Sequence, residues 1–342
     1  MTAGTSRARQ HPAPADAPAP APAEGPLEVA VLRAHLVSSR IAGDVATPRE
    51  DNLRNISRMA QALPAYAFGL TPNRVWTPDE VLAVMAERCG VHADPAYLQG
   101  PDTIDPDLTL AQLERWRARL ARAAAGRERV LLATGHPTGI LAVHLQVAAA
   151  LRAAGCEVLV AAPDWTWPWP DARGGGTWRA DRPRHVRSVN GVHLLASGGE
   201  LLHTHDPEPM VALLGAVAGT PDLVVADHGW AGAAAQVGLD VLAMADCNDP
   251  ALFIAEQEGL RVVTVPLDDN VAPHLYDPLS AFLTHWRPKP PRSVCRTTVA
   301  ITPAPLSSRG TCVSDVAGAQ ARGRDACRWR CVRCPACPRS SS

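Results

Sequence analysis

Carboxylate side chains follow three predicted strands at the point where each strand ends. They occur in the segments Asp227-His-Gly, Asp246-Cys-Asn-Asp249 and Asp268-Asp-Asn. In an open α/β sheet, ligands bind beyond the carboxyl ends of the strands, so these side chains are expected to face one crevice. Carboxylates and an amide oxygen are ligands that Mg²⁺ and Mn²⁺ prefer. We therefore predict a divalent cation, Mg²⁺ or Mn²⁺, bound by Asp227, Asp246, Asn248, Asp249 and Asp268.

The same residue types have an ordinary structural use, because Asp and Asn cap helices and turns. Asp249 precedes Pro250 in the position of an N-cap, and Asp269-Asn270 has the form of an Asx turn. Caps alone do not require a carboxylate at three consecutive strand ends. This repetition favours the cation site.

A turn flanked by glycines, Gly135-His-Pro-Thr-Gly139, lies between the first predicted strand of the sheet and the helix after it. Its glycines allow close approach to the backbone, and its N–H groups and the dipole of the helix favour an anion. Thr138 adds a hydroxyl donor. We predict that Gly135, Thr138 and Gly139 bind phosphate; the alternative is a tight strand-to-helix turn without a ligand.

Two histidines, His203 and His205, form a second candidate metal site. At positions i and i+2 of a strand, their rings point the same way and can share a metal ion. The alternative is that the adjoining segment Asp206-Pro-Glu208 is an ordinary helix start. A metal hydrolase with histidine ligands is therefore a separate hypothesis, and it predicts dependence on Zn²⁺.

The charged residues exclude several other chemistries. Lys289 is the only lysine, which excludes a P-loop or Schiff-base lysine in the body of the protein. The 342 residues include 33 basic and 34 acidic side chains, which gives no sign of the basic face of a nucleic-acid-binding protein. The longest apolar stretches, such as residues 140–151, are too short to span a bilayer. We expect a cytoplasmic protein without nucleic-acid or membrane partners.

Charge and cysteine are unevenly distributed along the chain. Residues 287–342 hold 11 basic and 2 acidic residues and six of the nine cysteines, whereas residues 1–286 hold 22 basic and 32 acidic residues. Three scattered cysteines in the body indicate an intracellular protein without a disulfide framework. We expect residues 1–26, an Ala/Pro-rich arm, to be disordered. The tail 287–342 is expected to be disordered or the product of a frameshift, with a zinc knuckle as the alternative.

Residues 27–126 are predicted to form a helical subdomain. Thr47 and Glu50 have the spacing of a capping box at the start of one helix. A second helix is predicted to begin at Thr77, and a third near Leu108.

Residues 127–286 have the alternating pattern of an α/β core. Strands are predicted at residues 130–134, 157–162, 223–227, 241–245 and 261–265. A β-hairpin with Asn190-Gly191 as its turn interrupts them, and the Trp-rich segment 164–178 suits a mobile lid. The pattern predicts an α/β fold with a doubly wound, mostly parallel (Rossmann-like) sheet, a hairpin insertion and a helical N-terminal subdomain.

Five motifs resemble an actinobacterial family of little-characterised phosphatases. They occupy residues 40–52, 133–139, 226–232, 245–250 and 266–270. The resemblance covers about residues 27–286, which we take as one phosphatase-like domain. It implies hydrolysis of phosphomonoesters.

Together these observations predict a phosphatase that acts on a small-molecule phosphate ester. The strand-end carboxylates hold the cation, and His136 or His228, beside Asp227, transfers protons. Arg40 and Arg49 add bidentate phosphate contacts if the N-terminal segment folds over the crevice. The alternative is a nucleotide- or sugar-phosphate-binding protein without hydrolytic activity, whose carboxylates bind ribose hydroxyl groups.

Overall fold

The computed structural model describes residues 29–163, 166–167 and 183–286. All of them belong to one compact unit. The predictions for the arm 1–26, for the tail 287–342 and for nearly all of the Trp-rich segment lie outside the described residues. Within the described part, no helix is long and apolar enough to cross a membrane.

Helices and strands alternate through most of the described chain. The α-helices are α1 (Val29–Ser38), α2 (Arg49–Ala60), α3 (Pro64–Ala67), α4 (Pro78–Arg88), α5 (Pro106–Gly126), α6 (Pro137–Ala153), α7 (Glu208–Ala216), α8 (His228–Gln236), α9 (Pro250–Gln257) and α10 (Asp277–Thr284), with a 3₁₀ helix at Pro273–Tyr276. The strands are β1 (Gly43–Pro48), β2 (Pro101–Ile104), β3 (Arg129–Thr134), β4 (Glu157–Val158), β5 (Thr166–Trp167), β6 (Arg184–Val189), β7 (Val192–Ser197), β8 (Glu200–Leu202), β9 (Leu223–Asp227), β10 (Val241–Ala245) and β11 (Val262–Pro266).

Strands β3 to β11 form one mixed sheet. Its order is β11-β10-β9-β3-β7-β6-β5, with β4 beside β3 and β8 beside β7. The pairs among β11, β10, β9, β3, β4 and β7 are parallel, and those that involve β5, β6 and β8 are antiparallel. Helices α5, α6, α8 and α9 pack against the sheet. The predicted α/β fold with a mostly parallel sheet is confirmed.

The neighbours of β3 on its two sides come from different parts of the chain. β3 pairs with β9 on one side and with β4 and then β7 on the other, so that Leu132 lies opposite both Val225 and Val192. In open α/β sheets, crevices for ligands form at such a switch in strand order. The residues after β3 and β9 therefore flank a natural binding site.

The strand predicted at residues 157–162 is shorter than expected. Only Glu157–Val158 is strand, and the Leu159 amide still donates to Val130 O at 2.9 Å. From Leu132 onward, the place beside β3 belongs to β7. The chain beyond Leu159 therefore no longer pairs with β3.

The predicted hairpin is confirmed, and it determines where the next segment lies. Asn190 and Gly191 have φ values of 45° and 81°, as a type I′ turn requires. Thr134, the last residue of β3, lies opposite Leu194, so that β7 continues beyond the end of β3. The short strand β8 then turns back with Leu202 opposite Leu195. As a result, the residues after β8 lie beside the carboxyl end of β3.

The N-terminal region contains one confirmed helix start, at Thr77, and one wrong prediction of a helix cap, at Thr47. At Thr77 the hydroxyl accepts from the Glu80 amide and the Glu80 carboxylate accepts from the Thr77 amide, a complete capping box. Thr47, by contrast, lies in β1, whose pairing with β2 the sequence did not indicate, and α2 begins after Pro48 without a side-chain cap. The Thr47 hydroxyl donates instead to Asp246 Oδ2 at 2.7 Å. The threonine therefore supports the strand-end carboxylates.

Candidate active site

Five buried carboxylates converge at the carboxyl edge of the sheet. They belong to Asp227, Asp246, Asp249, Asp268 and Asp269, and each residue is at most 5% exposed. The first ends β9, the next two follow β10 and the last two follow β11. Burying so many carboxylates is strongly unfavourable unless positive charge lies among them.

Three of the carboxylates form a compact group that could hold a cation. One oxygen each from Asp246, Asp268 and Asp269 lies within 4.8 Å of the others. Burial, followed by the charges of Asp269 and Asp268, raises the pKa of Asp246 well above its ordinary value. The N-terminal segment covers the group, because Thr47 bonds to Asp246 and the Ala46 amide donates to Asp268 Oδ2 at 3.3 Å.

His228 lies beside this group, with a carboxylate facing each ring nitrogen. Its Nδ1 donates to Asp227 Oδ1 at 2.8 Å, and its Nε2 lies 3.2 Å from Asp249 Oδ2 and 3.5 Å from Asp269 Oδ2. Burial acts to lower the pKa of His228, but the surrounding carboxylates raise it well above the ordinary value. The residue has a φ of 47°, a conformation that costs energy for a non-glycine residue and that clusters at functional sites.

Three further histidines complete the cluster. The rings of His136 and His203 are stacked with centroids 4.3 Å apart, and those of His205 and His228 with centroids 4.6 Å apart. Asp269 Oδ1 lies 3.2 Å from His136 Nδ1. Burial acts to lower the pKa of His136, but this carboxylate raises it above the ordinary value. The residues of the two sites that were predicted separately, the carboxylates and the histidines, therefore form one cluster.

His203 is the histidine at the opening of the cluster. Part of the residue is exposed to solvent, while its ring packs against the other rings. Loss of contact with water, and then the positive charges of His228 and His136, lower its pKa to about 3. A histidine that stays neutral has a lone pair with which to bind a metal ion.

Asp227 supports His228 and is not in any of the candidate ligand groups among the described residues. Its Oδ1 accepts from His228 and from the Gly135 amide at 2.7 Å, and its Oδ2 lies 3.5 Å from Nε2 of the fully buried His144. Burial acts to raise the pKa of Asp227, but the hydrogen bond and charge of His228 lower it to about 2. His144 was missed, although a histidine inside the apolar α6 was a visible signal.

Buried polar atoms of the cluster are positioned to contact a cation. Asp269 Oδ2 is buried without a hydrogen-bond partner, as are His144 Nε2 and Asp227 Oδ2, which lie 3.5 Å apart. Buried polar atoms in proteins nearly always have such a partner. The candidate ligand groups are His136, His203 and His228; His205, His228 and Asp249; and Asp246, Asp268 and Asp269. Carboxylate and imidazole atoms at this spacing suit a divalent transition-metal ion or Mg²⁺.

The predicted phosphate-binding turn uses its backbone donors within the protein. The Gly135 amide donates to the carboxylate that ends β9, the His136 amide to Thr134 Oγ1 at 3.0 Å, and the Gly139 amide to His136 O at 3.3 Å. Thr138 is exposed on the first turn of α6. The donors expected to bind phosphate at Gly135 and Gly139 are thus occupied, and the Thr138 hydroxyl stays a predicted contact.

Gly139 has a different role, because it lets the loop after β11 approach α6. A Cβ at this position would lie 1.9 Å from the backbone oxygen of Asp269. We expect Gly139→Ala to displace Asp269 and reduce the predicted hydrolysis of phosphate esters at least ~10-fold, the lower range for disturbing a partner of metal ligands. Gly215→Ala is the matched control, since a Cβ there meets nothing within 4 Å. Unchanged kcat in Gly139→Ala, measured beside this control, would contradict the role of Gly139 in positioning Asp269.

The two predicted phosphate-binding arginines lie in different environments. Arg40 is exposed near Asp268, and its guanidinium donates to the backbone oxygens of Asp44 and Val45. Arg49 is fully buried and pairs with Asp102 at 2.9 Å. The structure therefore leaves Arg40 available at the edge of the cluster and places Arg49 in the packing of the N-terminal region.

Asn248 is half-buried and lies in the chain between Asp246 and Asp249, two other predicted ligands. Its backbone oxygen accepts from Asn55 Nδ2 at 2.9 Å, another contact through which α2 covers the site. Asp269 was not predicted as a ligand, although it directly follows Asp268. Its position between two histidines and two carboxylates makes it the most central acidic residue of the cluster.

The comparisons with known proteins agree with one another. The sequence matches the family described as Phosphatase over residues 27–287. It is also 50% identical over 260 residues to Phosphatase SCO2771 of Streptomyces coelicolor, an alignment that covers 74% of this chain and 94% of the relative. The family match includes every residue of the cluster.

Proposed function

The chain belongs to the Phosphatase family and is a phosphatase, as its motifs indicated, and from this premise we propose that it hydrolyses a small-molecule phosphomonoester with a divalent cation. The observation that carries the proposal is the group of Asp246, Asp268 and Asp269, whose oxygens are close enough to share one ion. Asp249 and Asn248 complete the environment of this ion in the proposal. Mg²⁺ or Mn²⁺ suits these oxygen ligands best.

The cation at this group would neutralise phosphate charge and act as a Lewis acid toward the phosphoryl oxygens. The chain itself excludes water there, since each of the three carboxylates is at most 4% exposed. It also fixes them, through Thr47 on Asp246 and through the Asn270 amide on Asp268 Oδ1 at 2.9 Å. Fixed, dry surroundings strengthen electrostatic contacts with an anionic substrate.

We assign proton transfer to the leaving oxygen to His136. Its ring is stacked on His203 at the opening of the cluster and has Asp269 at Nδ1. His228, the other predicted proton carrier, has carboxylates at both nitrogens and lies deeper, with 2% exposure. Arg40 and Thr138, both exposed, are the groups proposed to meet the incoming phosphate.

The runner-up function is binding of a phosphorylated metabolite without hydrolysis. A thermal-shift series with Mg²⁺, Mn²⁺, Co²⁺ and Ni²⁺ alone separates the two functions. A cation at 100 times its dissociation constant stabilises the folded state by about 2.7 kcal/mol, so we expect a clear rise in Tm with Mn²⁺ or Mg²⁺. A Tm that none of the four ions changes would support the binding protein instead.

A further inference from the structure

The histidines of the cluster are more numerous than a single carboxylate-bound cation requires. His203 Nε2 and His205 Nε2 face each other at 3.0 Å, a contact in which one nitrogen donates and the other accepts through its lone pair. His205 also stacks on His228, and Phe68 packs edge-on against His205 with centroids 5.1 Å apart. The aromatic neighbour keeps the rings in place.

These nitrogens and the nearby oxygen are close enough to bind one ion. His228 Nε2 lies 3.2 Å from Asp249 Oδ2, and the ligand atoms of His205, His228 and Asp249 all lie within 4.8 Å of one another. Bonds of 2.0–2.1 Å to a tetrahedral or octahedral ion separate neighbouring ligand atoms by roughly 2.8–3.4 Å. The 3.2 Å between His228 Nε2 and Asp249 Oδ2 falls in this interval.

His228 is oriented in the way that metal-binding histidines are. Its Nδ1 donates to Asp227, which fixes the tautomer and leaves Nε2 directed at Asp249 and Asp269. A carboxylate behind a histidine in this manner is the usual support of a metal ligand. Asp227 is itself held by the Gly135 amide, so the support is rigid.

A second observation is a buried, unpartnered carboxylate oxygen beside the histidines. Asp269 Oδ2 has no hydrogen-bond partner, although the residue is more than nine-tenths buried, and it lies 3.5 Å from His228 Nε2. Asp269 lies between the histidines and the other carboxylates, where it can contact ions on both sides.

We propose that the site holds a second divalent cation, bound by His205, His228 and Asp249, with His203 beside it and Asp269 between the two ions. Because imidazole suits borderline transition-metal ions such as Zn²⁺ better than Mg²⁺, the second position takes an ion of this class. This inference rests on the proposed function, since it shares the cluster with the carboxylate-bound cation. It assigns the histidines a role that the carboxylate site alone does not give them.

The test counts ions and reads their ligands without measuring activity. The full chain is stripped of metal and titrated with Co²⁺, and bound metal is counted by mass spectrometry while the visible spectrum reports nitrogen ligation. We expect two ions for the wild type, and one for both His205→Ala and the milder His205→Asn. His274→Ala is the matched control, since His274 is exposed outside the cluster, and it should still bind two. Cooperative thermal unfolding checks that each variant is folded.

The outcomes separate the inference from the function on which it rests. One ion in the wild type, with no change in either folded His205 variant, overturns the second cation and leaves the carboxylate site intact. Two ions retained in folded His205→Ala also overturn it. No bound ion in the wild type overturns both the inference and the metal-dependent function.

Discussion

Asp246→Asn is expected to reduce hydrolysis of a phosphomonoester more than ~100-fold, because loss of even an outer partner of a metal ligand costs 10–100-fold. Asp246 lies in the carboxylate group that carries the proposed cation, and asparagine keeps its shape without its charge. The measurement is kcat/KM for p-nitrophenyl phosphate at saturating Mn²⁺. The loss should appear mainly in kcat if the cation acts in the transition state.

The same variant should fold at least as well as the wild type in the absence of metal. Burial and neighbouring carboxylates raise the pKa of Asp246, so its charge is unfavourable in the metal-free protein, and asparagine removes that charge. The metal-free Tm should therefore be unchanged or higher, while the rise in Tm with Mn²⁺ should shrink. Asp79→Asn, an exposed change in α4, is the matched control. Full activity in folded Asp246→Asn would refute the role of Asp246.

Arg49→Met is expected to destabilise the protein by about 3–5 kcal/mol, the cost of breaking a buried ion pair by removing one partner. Arg49 is 0% exposed, pairs with Asp102 and donates to the backbone oxygens of Tyr97 and Asp94. Methionine leaves the Asp102 carboxylate buried without its cation. Urea unfolding with linear extrapolation measures the change in the free energy of unfolding.

A double variant separates this structural role from the phosphate-binding role predicted from sequence. Adding Asp102→Asn removes the orphaned charge, so Arg49→Met/Asp102→Asn should recover part of the lost stability. KM of the folded single variant should stay near the wild-type value. The opposite pattern, a raised KM with unchanged stability, would return Arg49 to the phosphate site.

The sequence predicted the central strands well because they are buried on both faces. β3, β9, β10 and β11 are short apolar runs, and their carboxyl ends could be identified from the residues that follow. The strand predicted at residues 157–162 was too long, since nothing in the local sequence shows that β7 takes the place beside β3. Local patterns specify a strand, but the partner at its edge depends on distant residues.

The site was predictable where its residues directly follow a strand of the central sheet. Asp246 and Asp268 could be found in this way, whereas the place of His203 and His205 depends on how far β7 extends and where β8 turns back. Thr47 has the sequence of a helix cap, and only its contact with Asp246 across 199 positions reveals its use. Such long-range contacts have no local signal.

Hydrolysis by this phosphatase is proposed to depend on a cation at the strand-end carboxylates. The most direct measurement is the rate of phosphate release from p-nitrophenyl phosphate by the full chain before chelation, after removal of the chelated metal, and after addition of Mn²⁺ or Mg²⁺. We expect the rate to fall to background without metal and to return when the ion is restored. An undiminished rate in protein shown by mass spectrometry to be free of metal would contradict this dependence on a cation.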